Sequence, residues 1–177
     1  MNIDSEPVVL YNRQQINAVV RRLAREITRD YAGKTPLVIG VLKGSFIFVS
    51  DLVRKLDFPL EIEFIRLASY GSSQISSGRV SMISDTGISI EGRHVLVVED
   101  IVDTGLSLAF LMDYLSEGKP ASVKLCSLLD KPSRRQSDVK ISYCGLTVPD
   151  KFLVGYGLDC NEQYRNLADI CVIEESC

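Results

Sequence analysis

The run from Val95 to Leu108, VLVVEDIVDTGLSL, restricts this chain more than any other segment. Four apolar residues, Val95 to Val98, predict a strand buried on both faces. Glu99 and Asp100 follow at once. Three residues past Asp100 comes Asp103, then Thr104, Gly105 and, after Leu106, Ser107, at the opening of an amphipathic helix. The first N–H groups of a helix are unpaired and face an anion favourably. Paired acids a few residues away suit sugar hydroxyls or a hydrated magnesium ion. Together these features describe a site for a phosphorylated sugar. A plainer reading is a strand-to-helix crossover in which Asp103 or Thr104 merely caps the helix. It leaves Glu99 and Asp100 unexplained, because adjacent like charges at a strand end are costly without a ligand or cation.

The bulk properties narrow the classes. A chain of 177 residues fits one domain, residues 1–177, with a sizeable core. Apolar residues make up 46% and charged residues 24%, which excludes disorder. A net charge of -3 gives no overall case for nucleic acid or an anionic membrane. No apolar run approaches the roughly 20 residues that span a bilayer. The opening MNIDSEPVVL lacks the basic and apolar regions of a signal peptide. The five cysteines, Cys126, Cys144, Cys160, Cys171 and Cys177, are odd in number and form no CxxC pair. They read as reduced thiols of a cytoplasmic protein, neither a zinc site nor a disulfide framework.

Along the chain, Asn12 to Tyr31 predicts a helix whose inner face carries Ile16, Val19, Val20, Leu23 and Ile27. Asn12 and Gln15 are spaced as a capping box, and Gly33 ends the segment. Leu37 to Leu42 predicts a buried strand and Lys43-Gly44-Ser45 a turn. Phe46 to Leu56 predicts a helix with Phe46, Val49, Leu52, Val53 and Leu56 on its inner face. Glu61 to Leu67 is the next strand. The Ser- and Gly-rich stretch from Ser69 to Gly78 reads as a loop, and Val80 to Ile83 as a returning strand. After the opening run comes a helix from Leu106 to about Glu117, stopped by Gly118-Lys119-Pro120. Strands follow at Val123 to Leu129, Phe152 to Tyr156 and Ile170 to Ile173. Alternating strands and helices predict an α/β domain with a largely parallel sheet flanked by helices. Sites in such sheets lie beyond the carboxyl ends of the strands. Lys43, Glu99, Asp100, Asp103 and Lys131 all follow strands, which points to one cleft.

The opening run resembles the phosphoribosyl-diphosphate-binding motif of the type I phosphoribosyltransferases. That motif is a hydrophobic strand, two acids, two apolar residues, Asp, Thr or Ser, Gly, any residue, then Ser or Thr. Four further runs resemble the hypoxanthine-guanine branch of the family: VLKGSFIF (41–48), the Ser69-Tyr70 pair, LLDKPSRR (128–135) and VPDKFLVGYGLDCNEQYRNL (148–167). The resemblance implies the type I phosphoribosyltransferase fold, with a small hood formed by terminal segments. It also implies transfer of a phosphoribosyl group from phosphoribosyl diphosphate to hypoxanthine or guanine in purine salvage, with magnesium as cofactor. A homo-oligomer, dimer or tetramer, and no nucleic-acid or membrane partner belong to the same expectation.

The resemblance further implies a role for each residue. Asp103, Thr104, Gly105, Leu106 and Ser107 cradle the 5′-phosphate, where the family often has Lys in place of Leu106. Glu99 and Asp100 face the ribose hydroxyls, directly or through hydrated magnesium. Asp103 is the catalytic base and acid near purine N7. Lys131 donates to the purine 6-oxo group and discriminates against adenine. Phe152 stacks on the purine and the Leu153 backbone reads its edge. Asp159, beside the purine, binds a second magnesium with the diphosphate. Arg165 grips the diphosphate. Lys43-Gly44 meets the diphosphate through a peptide that can be cis in this family. Ser69 and Tyr70 open a lid over about 69–80 that excludes water from the reacting ribose.

Taken without the resemblance, Lys131 reads as a solvated lysine, Phe152 as core, and Asp159 and Arg165 as surface charges. A regulatory relative that binds RNA would need a basic surface, for which Arg21-Arg22 and Arg134-Arg135 are the sole openings. A phosphoacceptor domain would need an acidic pair after the first strand, where this chain has Lys43. His94, the single histidine, falls at the wrong end of its strand for the cleft and reads as structural.

Overall fold

The computed structural model describes residues 6–69, 80–82 and 89–174, with backbone alone at 68, 69 and 80–82. The elements in chain order are β1 (Val8–Tyr11), α1 (Arg13–Asp30), β2 (Leu37–Leu42), α2 (Phe46–Val53), β3 (Glu61–Ser69), β4 (Val80–Met82), β5 (His94–Val102), α3 (Leu106–Glu117), β6 (Ser122–Asp130), β7 (Tyr143–Thr147), β8 (Phe152–Val154) and β9 (Ile170–Ile173).

A six-stranded sheet runs β4-β3-β2-β5-β6-β7. Neighbouring pairs from β3 to β7 are parallel, and β4 returns antiparallel along β3. The continuous apolar runs follow from burial on both faces. Val38, Leu96, Val98, Cys126 and Leu128 pack under α1 and α2. Their alternates Leu37, Ile39, Val95, Val97 and Leu125 pack under α3. The hood is a second, antiparallel sheet in the order β1-β9-β8, built from segments near both ends of the described chain. The expected α/β fold with a terminal hood is therefore present. No helix among the described residues is long and apolar enough to cross a membrane.

Helix α1 begins as its sequence requires. Asn12 Oδ1 accepts from the N–H groups of Gln14 and Gln15 at 3.0 Å each, and Gln15 Oε1 accepts from the Asn12 N–H at 2.9 Å. Helix α3 matches its expected bounds. Helix α2 ends at Val53 rather than Leu56; Val49, Leu52, Val53 and Leu56 pack on the core as expected, but Phe48 is buried there and Phe46 is exposed. Four apolar residues in a row, Phe46 to Val49, leave the helical phase undetermined by periodicity. Strands β1 and β7 were not expected; both are short, and their alternation is blurred by Leu10, Cys144 and Gly145.

The expectation of reduced thiols holds at Cys126, Cys144 and Cys171, which are free. It fails at Cys160, which is disulfide-bonded. Linear spacing does not report which sulfurs the tertiary fold brings together. His94 sits as expected at the amino end of β5, its Nδ1 2.8 Å from Ser122 Oγ and its ring edge-on to Tyr31. Residues 70–79 of the expected lid, Tyr70 included, and the returning residue Ile83 lie outside the described residues. Ser69 closes β3.

Candidate active site

Lys43, Gly44, Glu99, Asp100, the Asp103–Ser107 loop and Lys131 lie at the carboxyl ends of β2, β5 and β6. Strand β5 runs further than its four apolar residues suggest. Glu99 and Asp100 lie inside its last residues, Glu99 in register with Ser127 of β6. Successive strand residues face opposite sides, so the two carboxylates leave the sheet in different directions.

Asp100 is 9% exposed, and its Oδ1 accepts from the Ile101 N–H at 2.8 Å. It lies against Gly44: a Cβ at that glycine would come within 1.7 Å of Asp100 Oδ2. Glycine at 44 is therefore what lets the turn after β2 approach the acid. Burial pushes the Asp100 carboxyl up to about 6, opposed by its backbone hydrogen bonds and by Arg165. Glu99 is pushed well above the usual carboxylate range, first by burial and then by the charge of Asp100. Among the described residues, Glu99 Oε2 is shielded from solvent and has no hydrogen-bond partner. A buried orphaned oxygen of this kind signals a ligand or cation.

The Asp103–Ser107 loop turns through Gly105, whose φ of 81° is left-handed and favours glycine. Gly105 is also the residue preceding α3, so the helix has no side-chain cap there. Thr104 Oγ1 lies 3.5 Å from the Leu106 N–H, a long contact. Neither Asp103 nor Thr104 therefore acts as a conventional cap, and the plainer reading of the loop fails. The loop, with Glu99 and Leu108, lines a cavity of about 130 Å³. Its outer wall is braced. Thr104 O accepts from the Gln136 and Ser137 N–H groups at 2.9 and 3.2 Å. Arg135 pairs with Asp130 and packs beside the Gly105 backbone.

A second cavity, about 440 Å³, is lined by Lys131, Arg134, Asp150, Phe152, Val172 and Glu174 among others. It lies between the end of β6 and the hood. Lys131 is 5% exposed, and its Nζ donates to the Lys151 carbonyl at 2.8 Å. Phe152 is half-buried on the wall. Leu153 points its side chain into the core and pairs with Val172 in the hood sheet, next to Phe152 on the cavity wall. Arg134 joins the two cavities: it lines the larger one, and its Nε lies 3.5 Å from Asp103 Oδ1. Apart from that ion pair, the oxygen is buried without a hydrogen-bond partner among the described residues. Asp103 thus stands at the boundary between a phosphate-sized cavity and a ring-sized one.

The hood supplies the third part. Asp159, Glu162 and Arg165 lie on a tight loop in which Asn161, Glu162 and Tyr164 have φ values of 50°, 63° and 70°. Non-glycine residues in this region mark a constrained backbone. Arg165 donates to Gly157 O at 2.8 Å and pairs with Asp159 Oδ1 at 2.8 Å and Glu162 Oε2 at 3.2 Å. Glu162 Oε1 in turn meets Lys43 Nζ at 2.9 Å. The cis peptide of this region lies between Leu42 and Lys43, one bond before the Lys43-Gly44 peptide that the family resemblance singles out as able to be cis. Spacing alone cannot tell neighbouring peptides of one turn apart.

Three site residues were not anticipated. Arg134 and Glu162 lie inside runs already tied to the site, and Arg135 next to one of them. Glu162 had a readable signal, since it stands three residues from both Asp159 and Arg165. Among the described residues, no three His, Cys, Asp or Glu side chains cluster as a metal cage. Magnesium does not need one, as it commonly takes one or two carboxylates, several waters and substrate phosphates.

This geometry has close counterparts. The chain is 46% identical over 166 residues to the hypoxanthine-guanine phosphoribosyltransferase of Bacillus subtilis (strain 168), covering 94% of this chain and 92% of that one. It is 44% identical over 167 residues to the enzyme of the same name from Streptococcus pneumoniae, covering 94% and 93%. It also matches the bifunctional protein TilS/HprT of Listeria monocytogenes at 46% identity, where it spans only 26% of that longer protein's length. The crystal structure of a hypoxanthine-guanine phosphoribosyltransferase from Bacillus anthracis, with HEPES in its active site, superposes with a TM-score of 0.90 at 44% identity, over 96% of this chain and 99% of that one. The family profile of the phosphoribosyl transferase domain matches residues 9–161. The chain belongs to the phosphoribosyl transferase domain family.

Proposed function

We propose that this chain is a hypoxanthine-guanine phosphoribosyltransferase of purine salvage. It transfers the 5-phosphoribosyl group from phosphoribosyl diphosphate to N9 of hypoxanthine or guanine, giving IMP or GMP and diphosphate. The observation that carries this reading is the position of Asp103, between the Thr104–Ser107 loop cavity and the cavity that Lys131 and Phe152 line.

The 5′-phosphate is taken by the first N–H groups of α3 and the Thr104 and Ser107 hydroxyls. Lys131 Nζ, already presented by its bond to Lys151 O, donates to the 6-oxo group of the base. Phe152 covers the ring, and the Leu153 backbone meets its edge. As N9 bonds to ribose C1′ and the C1′–O bond to diphosphate breaks, Asp103 accepts the proton from N7. Arg165, Lys43 and the Gly44 backbone receive the departing diphosphate. Glu99 and Asp100 would hold magnesium at the ribose, and Asp159 a second ion at the diphosphate. The buried unpartnered Glu99 Oε2 and the raised Asp100 fit a cation there. Bound magnesium offsets the leaving group's charge.

The lid role of Ser69 and Tyr70, a dimeric or tetrameric state and a cytoplasmic location complete the proposal. The test is a steady-state assay with phosphoribosyl diphosphate and magnesium, offering hypoxanthine, guanine, xanthine and adenine in parallel. Turnover of the 6-oxopurines without adenine is the expected result. Absence of turnover with every base, despite binding of phosphoribosyl diphosphate, would sink the reading.

A further inference from the structure

Outside the cleft, a cavity of about 550 Å³ opens between the start of α1, α2 and residues 166–168 of the hood segment. It shares no lining residue with the two cavities of the active site. Its volume falls within the roughly 300–1,000 Å³ of small-molecule sites. Arg13, Arg54 and Lys55 are among its walls, with the amides of Asn17 and Asn166 and the apolar Ile47.

The cations outweigh the anions there. Asp51 is engaged, accepting from Tyr156 Oη at 2.7 Å and pairing with Arg54. Asp169 Oδ1 accepts from the Arg13 N–H at 2.6 Å. The Arg13 guanidinium has no hydrogen bond or ion pair among the described residues, and Lys55 Nζ has only a 3.4 Å contact to Asp51 O. A neighbouring groove of about 400 Å³ shares Gln14 and Asn17 with the cavity and adds Arg21 and Arg25, whose guanidinium groups are equally unengaged among the described residues.

The sequence builds this arrangement. Arg13, Asn17, Arg21 and Arg25 recur every fourth residue and form one stripe of α1. The inward stripe is Ile16, Val20, Leu23 and Ile27. Solubility alone calls for mixed charges on the outer face, as in the Arg22–Glu26 pair on the same helix. A row of one sign beside a concave pocket, in a chain of net charge -3, is a recognition feature.

We propose that the cavity binds a nucleotide-sized ligand carrying two or more phosphate charges. Guanidinium groups hold phosphate oxygens in bidentate pairs. The cavity is half open, and its volume suits a small molecule better than a nucleic-acid strand.

The probe is inorganic tripolyphosphate, titrated calorimetrically into the full chain at fixed free magnesium and ionic strength. Two classes of sites are expected in the wild-type chain, one in the active site and one here. The variant R13Q/K55Q is expected to weaken one class by about tenfold or more while its thermal unfolding is unchanged. A single class in the wild type, or an isotherm unaltered in the variant, would overturn the proposal. Tighter binding of a twelve-nucleotide RNA than of tripolyphosphate would also overturn it, by making the stripe a nucleic-acid surface. Should the double variant unfold, R13Q and K55Q taken singly carry the same comparison.

Discussion

Lys43 Nζ and Glu162 Oε1 lie 2.9 Å apart, joining the turn after β2 to the constrained loop of the hood. Glu162 Oε2 is 3.2 Å from Arg165, so one carboxylate holds both cations proposed for the diphosphate. Lys43 and Arg165 in turn keep Glu162 below its usual range. The carboxylate occupies the charge position that diphosphate would take, and binding must displace it. Glu162→Gln is therefore expected to lower KM for phosphoribosyl diphosphate by roughly two- to fivefold with kcat little changed, as befits an exposed pair. A higher KM in steady-state kinetics would mean that Glu162 organises the cations rather than competing for them.

The site was legible wherever chemistry was compressed into a short run. Glu99 to Ser107 announced itself because two acids, a glycine and two hydroxyls need a common reason to follow a buried strand. The fold was legible from the same strands, whose unbroken apolar character demands cover on both faces. Other features depend on contacts made late in folding. Gly44 reads as a turn residue, yet its necessity comes from Asp100, 56 positions away in the chain and pressed against it. Arg134 reads as solvated until its Nε is found beside Asp103. Phe46 reads as part of the inner face of α2 because four successive apolar residues carry no phase, and the bonded state of Cys160 is not legible because sulfur pairing is a tertiary property.

Asp103 has a buried oxygen at the junction of two cavities, met among the described residues only by Arg134 Nε at 3.5 Å. The loop around it is held by Thr104 O and by Arg135, and the Asp103 side chain adds only its 3.5 Å pairing with Arg134. Removing the negative charge should therefore spare the loop. Asp103→Asn is expected to bind phosphoribosyl diphosphate within about threefold of wild type and to lose about 10² to 10⁴ in kcat. Equal losses in binding, read by calorimetry, and in turnover would assign Asp103 a structural role instead.

Lys131 is nearly buried, and its ammonium is aimed by a 2.8 Å bond to the Lys151 carbonyl. A charged donor to a buried acceptor contributes about 1.5–3 kcal/mol. Lys131→Met is thus expected to raise KM for hypoxanthine by about 10- to 100-fold and to narrow the preference for hypoxanthine over adenine. Parallel kinetics with both bases check this. An unchanged ratio between them would remove Lys131 from base selection.

Asp100 makes stability and ligand binding depend on pH in a defined direction. Burial raises its carboxyl from 3.8 to about 6, so between those values the folded chain keeps a proton that the unfolded chain has lost. The folded state then binds more protons, and stability falls as pH rises through this window. A rise from 3.8 to about 6 corresponds to about 3 kcal/mol of stability lost once the pH is above that range. Glu99, raised by burial and by Asp100, acts in the same direction. Asp100→Asn keeps the oxygen that accepts from the Ile101 N–H but carries no charge. Without ligand it is expected to melt several degrees above wild type at about pH 7.5, the difference closing toward about pH 4. Magnesium with phosphoribosyl diphosphate should reverse the order, since the wild type gains binding free energy that the amide cannot match. A ligand-free variant that melts below wild type near neutral pH would mean that the protein already pairs this carboxylate internally, and that its raised proton affinity is not a preparation for a cation.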